Sequence, residues 1–259
     1  MNIAVLAKLS VDTTELLVDE RGVKVEEAIT KVSDIDNNAM ELAVQLKEKF
    51  GGKIGLFMAL TWGPMQMRIK EVQKAAKKLL AMGGDEATLI VDEKLFSADS
   101  FLVAKALAAA IRKGSFDLVI AGEGSIDNFS SQIGPKVAEE LSYKFIGFVS
   151  RVSLKDNNII LTRSMEGYEE DVMLDLPAVI SVTQEVNKPR IPSLTQVLGA
   201  SKLPMKTLSL SDLGITEEGR VRVAEIRPRR MERKMVKLEG SPSEVAEKLL
   251  DLLVKEGVL

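Results

Sequence analysis

With 259 residues, 46% hydrophobic and 28% charged, the chain is long enough for one large domain or one domain with appendages, and too apolar for wholesale disorder. It has no cysteine and no histidine, which excludes disulfides, thiolate nucleophiles, Ser-His-Asp triads, Cys/His zinc sites and imidazole acid-base chemistry. A net charge of -3 gives no sign of a nucleic-acid-binding surface, and no apolar run approaches the ~20 residues of a membrane span.

Residues 1–7, MNIAVLA, read as a strand that starts at once, so no signal or transit peptide is expected before it, and a cytoplasmic protein is expected. The strand covers Ile3–Ala7. A helix follows from about Asp36 to Lys49, with Ala39, Leu42, Ala43 and Leu46 on one face. Then come a strand over Ile54–Leu60, a helix from Met65 to Met82, a strand over Ala87–Val91 and an Ala/Leu-rich helix over Ser100–Arg112. Leu118–Ala121 is the next strand and Gln132–Leu141 the next helix. This alternation implies parallel strands joined by right-handed crossovers: an α/β fold with a doubly wound, mostly parallel, Rossmann-like sheet.

The pattern then changes to successive strands over Phe145–Leu154, Asn158–Ser164, Asp171–Leu174 and Ala178–Thr183, with turns at Asp156-Asn157-Asn158 and Glu166-Gly167. Residues 205–239 lack strong periodicity and carry the basic run Arg227–Lys234, a solvated or inter-subunit strip rather than a polyanion site. Ser241-Pro242-Ser243-Glu244 marks a helix start, with Ser241 as N-cap and Glu244 completing a capping box, and the helix runs to about Lys255. The expected organisation is therefore an α/β nucleotide-binding domain over residues 1–200 and a C-terminal arm over 201–259, packed either on its own domain or on a partner subunit.

The stretch from Asp117 to Pro135, DLVIAGEGSIDNFSSQIGP, is the candidate site. Ligands of open α/β sheets sit at the carboxyl ends of strands, often where a helix N-terminus points backbone N–H groups at an anion. Gly122 and Gly124 let the backbone approach a ligand, and Ser125, Asn128, Ser130, Ser131 and Gln132 supply neutral hydrogen-bonding groups. A nucleotide phosphate or adenosine suits this set, and a solvated turn with an ordinary N-cap is the alternative. Glu123 and Asp127 are two carboxylates without further ligands, so no metal is expected. With neither thiol nor imidazole, any redox role requires a bound organic cofactor.

The order of features resembles the beta subunit of electron transfer flavoprotein over nearly the whole chain. Ala7-Lys8-Leu9-Ser10-Val11-Asp12-Thr13 is similar to the family's Val-Lys-Gln-Val-Pro-Asp-Thr, and Ala39–Lys49 resembles its first helix. Trp62-Gly63-Pro64 matches its Gly-Pro turn, and Leu80-Ala81-Met82-Gly83-Gly84-Asp85-Glu86-Ala87 its Leu-Ala-Met-Gly-Ala-Asp-x-Ala. The 122–132 loop corresponds to its Gly-Lys-Gln-Ala-Ile-Asp nucleotide loop. Leu176-Pro177-Ala178-Val179 and Asn187-Lys188-Pro189-Arg190-Ile191-Pro192-Ser193-Leu194 resemble its Leu-Pro-Ala-Val and Asn-Glu-Pro-Arg-Tyr-x-x-Leu.

The resemblance implies an electron carrier rather than an enzyme. It implies a heterodimer with an alpha subunit carrying FAD, which passes electrons between dehydrogenases and a quinone reductase or other acceptor. This subunit would bind AMP structurally, or a second FAD in an electron-bifurcating version that receives NADH. The implied cofactor-binding residues are Ala7, Trp62, Gly122, Ser125, Asn128, Ser131 and Gln132, with Leu194 inserting into partner dehydrogenases. The loop departs from the family in lacking a basic residue, since Gly122-Glu123-Gly124 stands where Gly-Lys-Gln is common, while Gln132-Ile133-Gly134-Pro135 is closer to bifurcating members. Trp62 either stacks on an adenine or flavin ring or fills core. Arg163 either meets a flavin or partner carboxylate or is a solvated strand arginine. Leu194 either docks or packs on the domain beneath it. The rival classes are an ATP-using enzyme of related fold, which would carry a glycine-rich phosphate loop where Lys8–Thr13 has no glycine, and an adenine-nucleotide sensor.

Overall fold

Five consecutive apolar residues, Ile3–Ala7, form β1, and all five are buried. Ile3, Val5 and Ala7 join one hydrophobic cluster while Ala4 and Leu6 join the other, so both faces of this strand are covered. The computed structural model describes residues 1–259 apart from 17, 20, 21, 25, 26, 63, 64, 97, 156, 157, 222 and 225–233, and apart from the side chains of 18, 19, 22, 65–67 and 155. The Gly63-Pro64 turn, Asp156-Asn157 and most of the basic run after Ile226 lie outside the described residues.

After β1 come the short strands β2 (Leu9–Val11), β3 (Val18–Asp19), β4 (Gly22–Val23) and β5 (Thr30–Val32), in which β2 pairs with β5 and β3 with β4. The alternating part follows as α1 (Asp34–Phe50), β6 (Ile54–Ala59), α2 (Met65–Leu80), β7 (Glu86–Ile90), α3 (Ser100–Ile111), β8 (Leu118–Gly122) and α4 (Ile133–Leu141). The strand-rich part is β9 (Lys144–Lys155), β10 (Asn158–Met165), β11 (Tyr168–Met173) and β12 (Ala178–Val182), and then α5 (Leu194–Ala200) and β13 (Met205–Leu208).

Among the described residues, nine strands make one sheet in the order β11-β10-β9-β12-β8-β1-β6-β7-β13. From β9 to β13 neighbouring strands pair in parallel, and β10 and β11 extend one edge antiparallel. Residues of α1 and α2 pack into the cluster on one face, and those of α3 and α4 into the cluster on the other. This is the doubly wound α/β fold expected from the alternation. The chain winds outward from β1 through β6 and β7, then returns to place β8 on the other side of β1. That reversal puts a crevice at the carboxyl ends of β1 and β8.

Local chemistry sets the element ends. Ser33 caps α1 by accepting the Asp36 N–H, and Asp99 caps α3 by accepting the Leu102 N–H. Gly83 sits at φ +138°, a conformation open to glycine, as the chain turns from α2 into β7. Asp85 then ties α1 to β6: its carboxylate pairs with Lys47 at 2.7 Å and accepts the Ile54 N–H at 2.8 Å.

The sheet does not stop at Ala200. β13 pairs with β7 from Met205↔Ala87 to Leu208↔Ile90, and Asp92 accepts the Leu210 N–H. Asp99 accepts the N–H groups of Arg220 and Val221. The body therefore runs further than the 1–200 expected from the sequence, and two compact units emerge, Met1–Ile226 and Arg227–Leu259. The second unit contains α6 (Pro242–Lys255), with Ser241 and Glu244 forming the capping box read from the sequence. Leu249, Leu250 and Val254 of α6 are about half exposed. No helix among the described residues is long and apolar enough to cross a membrane.

Candidate functional site at the strand-order reversal

The chain leaves β1 at Ala7 and leaves β8 at Gly122, side by side at the crevice. Gly122 has a steric reason to be glycine: a Cβ there would lie 2.8 Å from Ile35 Cγ2 and 3.0 Å from Asp36 Oδ1. The first turn of α1 can approach the β8 tip only because that side chain is missing.

The loop after Gly122 is organised by Asp127. Its carboxylate receives Lys8 Nζ at 2.7 Å, Ser125 Oγ at 2.6 Å, Trp62 Nε1 at 2.7 Å and the Val11 N–H at 3.2 Å. The Asp127 side chain is 2% exposed. Burial alone would raise its pKa, but the Lys8 charge and these hydrogen bonds outweigh burial and hold it below the ordinary carboxylate value. One acid thus gathers the residue that follows β1, the segment after β6, the end of β2 and the loop itself. Lys8 also lies 5.5 Å from the centre of the Trp62 ring.

Beneath this cluster lies a second acid. Asp36, wholly buried in the first turn of α1, accepts the Lys8 N–H at 3.0 Å. Burial pushes its pKa up to about 7, against the pull of the Lys8 and Ser33 contacts.

Beyond Asp127 the loop is strained and open. Phe129 and Ser131 take left-handed backbone conformations at φ 42° and 54°, uncommon for residues with a side chain. Asn128 is exposed, and neither Asn128 nor Ser131 uses its side chain in a hydrogen bond among the described residues. Gln132 stands at the N-cap position of α4 without capping it. Its Oε1 instead accepts from Ser100 Oγ at 2.6 Å and Lys136 Nζ at 2.7 Å. The first N–H groups of α4 are therefore left without a side-chain cap, and a cation lies one turn away.

Ala7, Trp62, Gly122, Ser125, Asn128, Ser131 and Gln132 thus all belong to one loop-and-strand-tip region or its α4 margin. Trp62 is half-buried and tied to Asp127 through its indole N–H, so it holds the loop rather than filling the core. Leu194 belongs to a different element, as the first residue of α5, and is 76% exposed, so it does not pack on the domain beneath it. Arg163 faces Glu170 across the β10–β11 pair with Nη1 at 3.4 Å, while its Nε is buried without a partner.

Reading the sequence missed Lys8, Asp36 and the organising role of Asp127. The signal for Lys8 was its place, the first charged residue after a wholly apolar strand. It brings a cation to the loop whose own basic residue is absent. Next to the loop, an open cavity of about 590 Å³ is lined by Glu123, Phe148, Ser150, Arg151, Thr183 and Glu185, among others. Burial and the nearby Glu185 raise the pKa of Glu123. No group of three acidic residues placed for a metal occurs among the described residues.

A doubly wound sheet whose polar loop, strand tips and uncapped helix start meet where the strand order reverses is a Rossmann-like α/β protein. Residues 22–213 match the family described as electron transfer flavoprotein domain. The chain is 34% identical over 218 residues to the electron transfer flavoprotein subunit beta of Thermoanaerobacterium thermosaccharolyticum, covering 83% of this chain and 81% of that one. It is 33% identical over 263 aligned positions to the electron transfer flavoprotein subunit beta of Bacillus subtilis, covering 99% and 98%. The chain belongs to the electron transfer flavoprotein subunit beta family, whose members carry electrons in flavoproteins.

Proposed function

We propose that this chain is the beta half of a heterodimeric electron transfer flavoprotein and holds an adenine nucleotide of its own in the 122–132 loop. Its alpha partner carries the FAD, which supplies the electron-carrying chemistry. Dehydrogenases donate, and a quinone reductase or another acceptor receives. The carrying observation is the chemistry of the loop: hydrogen-bonding side chains of Asn128 and Ser131 free at a strand-order reversal, beside an uncapped α4 N-terminus with Lys136 one turn along. Unsatisfied N–H groups and a nearby ammonium suit a phosphate. Asn128, Ser131 and backbone at Ala7 suit adenosine.

In this reading Lys8 and Asp127 neutralise each other and fix the loop, so phosphate recognition falls to the α4 end. Ser125, already donating to Asp127, keeps a lone pair for the ligand. A second reading, with FAD here and NADH as donor, is favoured by the cavity of about 590 Å³ that begins at Glu123, directly beyond the loop. In that reading the second half of the dinucleotide uses this space, for which a mononucleotide has no need.

The test is to co-express the chain with its alpha subunit and mix the purified complex with a substrate-reduced dehydrogenase from the same cells. Bleaching of the flavin absorbance only when both subunits are present supports the proposal. Equal bleaching of the alpha subunit alone contradicts it.

A further inference from the structure

We propose that Glu41 is a positioning residue for the partner-docking segment, acting through Arg190 from a polar stripe on α1. The proposal rests on the reading of Leu194 as the docking anchor.

The stripe consists of Asn38, Glu41, Gln45 and Glu48, spaced so that they line one side of the helix. Glu41 is 3% exposed, and a buried carboxylate is costly unless fully paired. Arg190 supplies the pairing with its main-chain N–H at 3.1 Å, Nε at 2.7 Å and Nη2 at 3.0 Å, and Gln45 Nε2 adds a bond at 2.9 Å. The same guanidinium reaches Glu48 with Nη1 at 2.6 Å and Nη2 at 3.2 Å. Burial works against ionisation of Glu41, but the Arg190 contacts win and its pKa is lowered.

Three residues earlier the chain is pinned again. Asn38 Nδ2 donates to the Asn187 carbonyl at 2.7 Å and the Gln184 carbonyl at 3.1 Å, and Asn187 Nδ2 donates back to the Asn38 carbonyl at 3.0 Å. Immediately beyond Arg190 the apolar side chains turn outward: Ile191 is 93% exposed, Leu194 76% and Leu198 63%. The buried Ala200 seats the far end of α5, but apolar burial does not fix the Ile191–Leu194 end of this row. Its position is inherited from the Asn38–Asn187 and Glu41–Arg190 ties, stiffened by Pro189 and Pro192 and by the Ser193–Gln196 capping box. An exposed anchor gains affinity when it is held in its bound place before the partner arrives.

The experiment uses the complete complex with a flavin-dependent dehydrogenase from the same cells, reduced by its own substrate. Glu41→Gln keeps the shape of the side chain and removes its charge. The expected result is a rise in KM for the dehydrogenase of about fivefold, the scale of re-ordering a few side chains on binding, with kcat and flavin content unchanged. In a Leu194→Ala background the same change should add nothing further, because the tie acts through the anchor. Arg190→Lys, which keeps the charge pair but loses the fork, should raise KM in the same direction and serves as the test if Glu41→Gln does not assemble. An unchanged KM in these variants, alongside a raised KM for Leu194→Ala, overturns the positioning role and leaves docking intact. Additive effects of Glu41→Gln and Leu194→Ala also overturn it. No effect of Leu194→Ala itself removes the docking reading on which the proposal stands.

Discussion

Replacing Asp127 by alanine removes the acid that gathers the loop, and the structure sets the size of the effect. The substitution deletes a buried partner of Lys8 and leaves Trp62 Nε1, Ser125 Oγ and the Val11 N–H without their acceptor. Breaking a buried ion pair on one side costs about 3–5 kcal/mol. Lys8 keeps 24% of its side chain exposed and turns to water, which moves the expectation to the low end, about 3 kcal/mol. For a chain of this size that lowers the melting temperature by roughly 6 °C or more. Asparagine retains one acceptor oxygen, so its cost should be smaller. Trp62 is the sole tryptophan, so its fluorescence reports on this cluster alone. Thermal unfolding of the nucleotide-free chain, followed by that fluorescence, should show both the loss of stability and a red-shifted native emission for Asp127→Ala. A loss under about 1 kcal/mol with unchanged native emission would match an ordinary surface pair and refute the reasoning.

Asp36→Asn should stabilise the chain in a pH-dependent way. The folded pKa of about 7 exceeds the ordinary 3.8, so the stability Asp36 contributes is full below 3.8 and is lost as pH rises through 7. Three units correspond to about 4 kcal/mol at most, so urea midpoints should show the variant gaining between about pH 4 and pH 7 and then levelling; a gain independent of pH contradicts this. Leu194→Ala should slow electron transfer from a dehydrogenase while changing stability by less than about 0.5 kcal/mol, because the side chain is 76% exposed. A loss of about 2–5 kcal/mol on calorimetry would mark Leu194 as core instead. A chain ending at Ile226 should keep a folded body by circular dichroism and lose its alpha partner in pull-down, since the removed unit presents the half-exposed apolar residues of α6; unchanged partner affinity would contradict that assignment.

The central strands were legible because parallel strands buried on both faces are continuous apolar runs. Ile3–Ala7 and Leu118–Ala121 read this way, and the structure extends the second to Gly122. Capping chemistry placed α6 to the residue. The β2–β5 ribbon escaped because its strands are three residues long, too short for any period to register. β13 escaped because an edge strand needs little apolar content, and its burial is only partial. At the site, the glycines and small polar residues announced a loop in contiguous sequence. The Lys8–Asp127 pair did not, because its members are 119 residues apart and only the sheet brings them together. Asp36 read only as the approximate start of a helix. Its burial follows from Gly122 letting α1 come close, which is a property of packing.

The most direct measurement is a count of adenine groups released by denaturing the heterodimer, from a preparation never stripped of ligand, set against its content of alpha subunit. The account predicts two adenines per heterodimer: the FAD of the alpha subunit and one AMP or FAD from this chain. A single adenine per heterodimer, all of it in the FAD of the alpha subunit, would contradict a nucleotide site in the 122–132 loop.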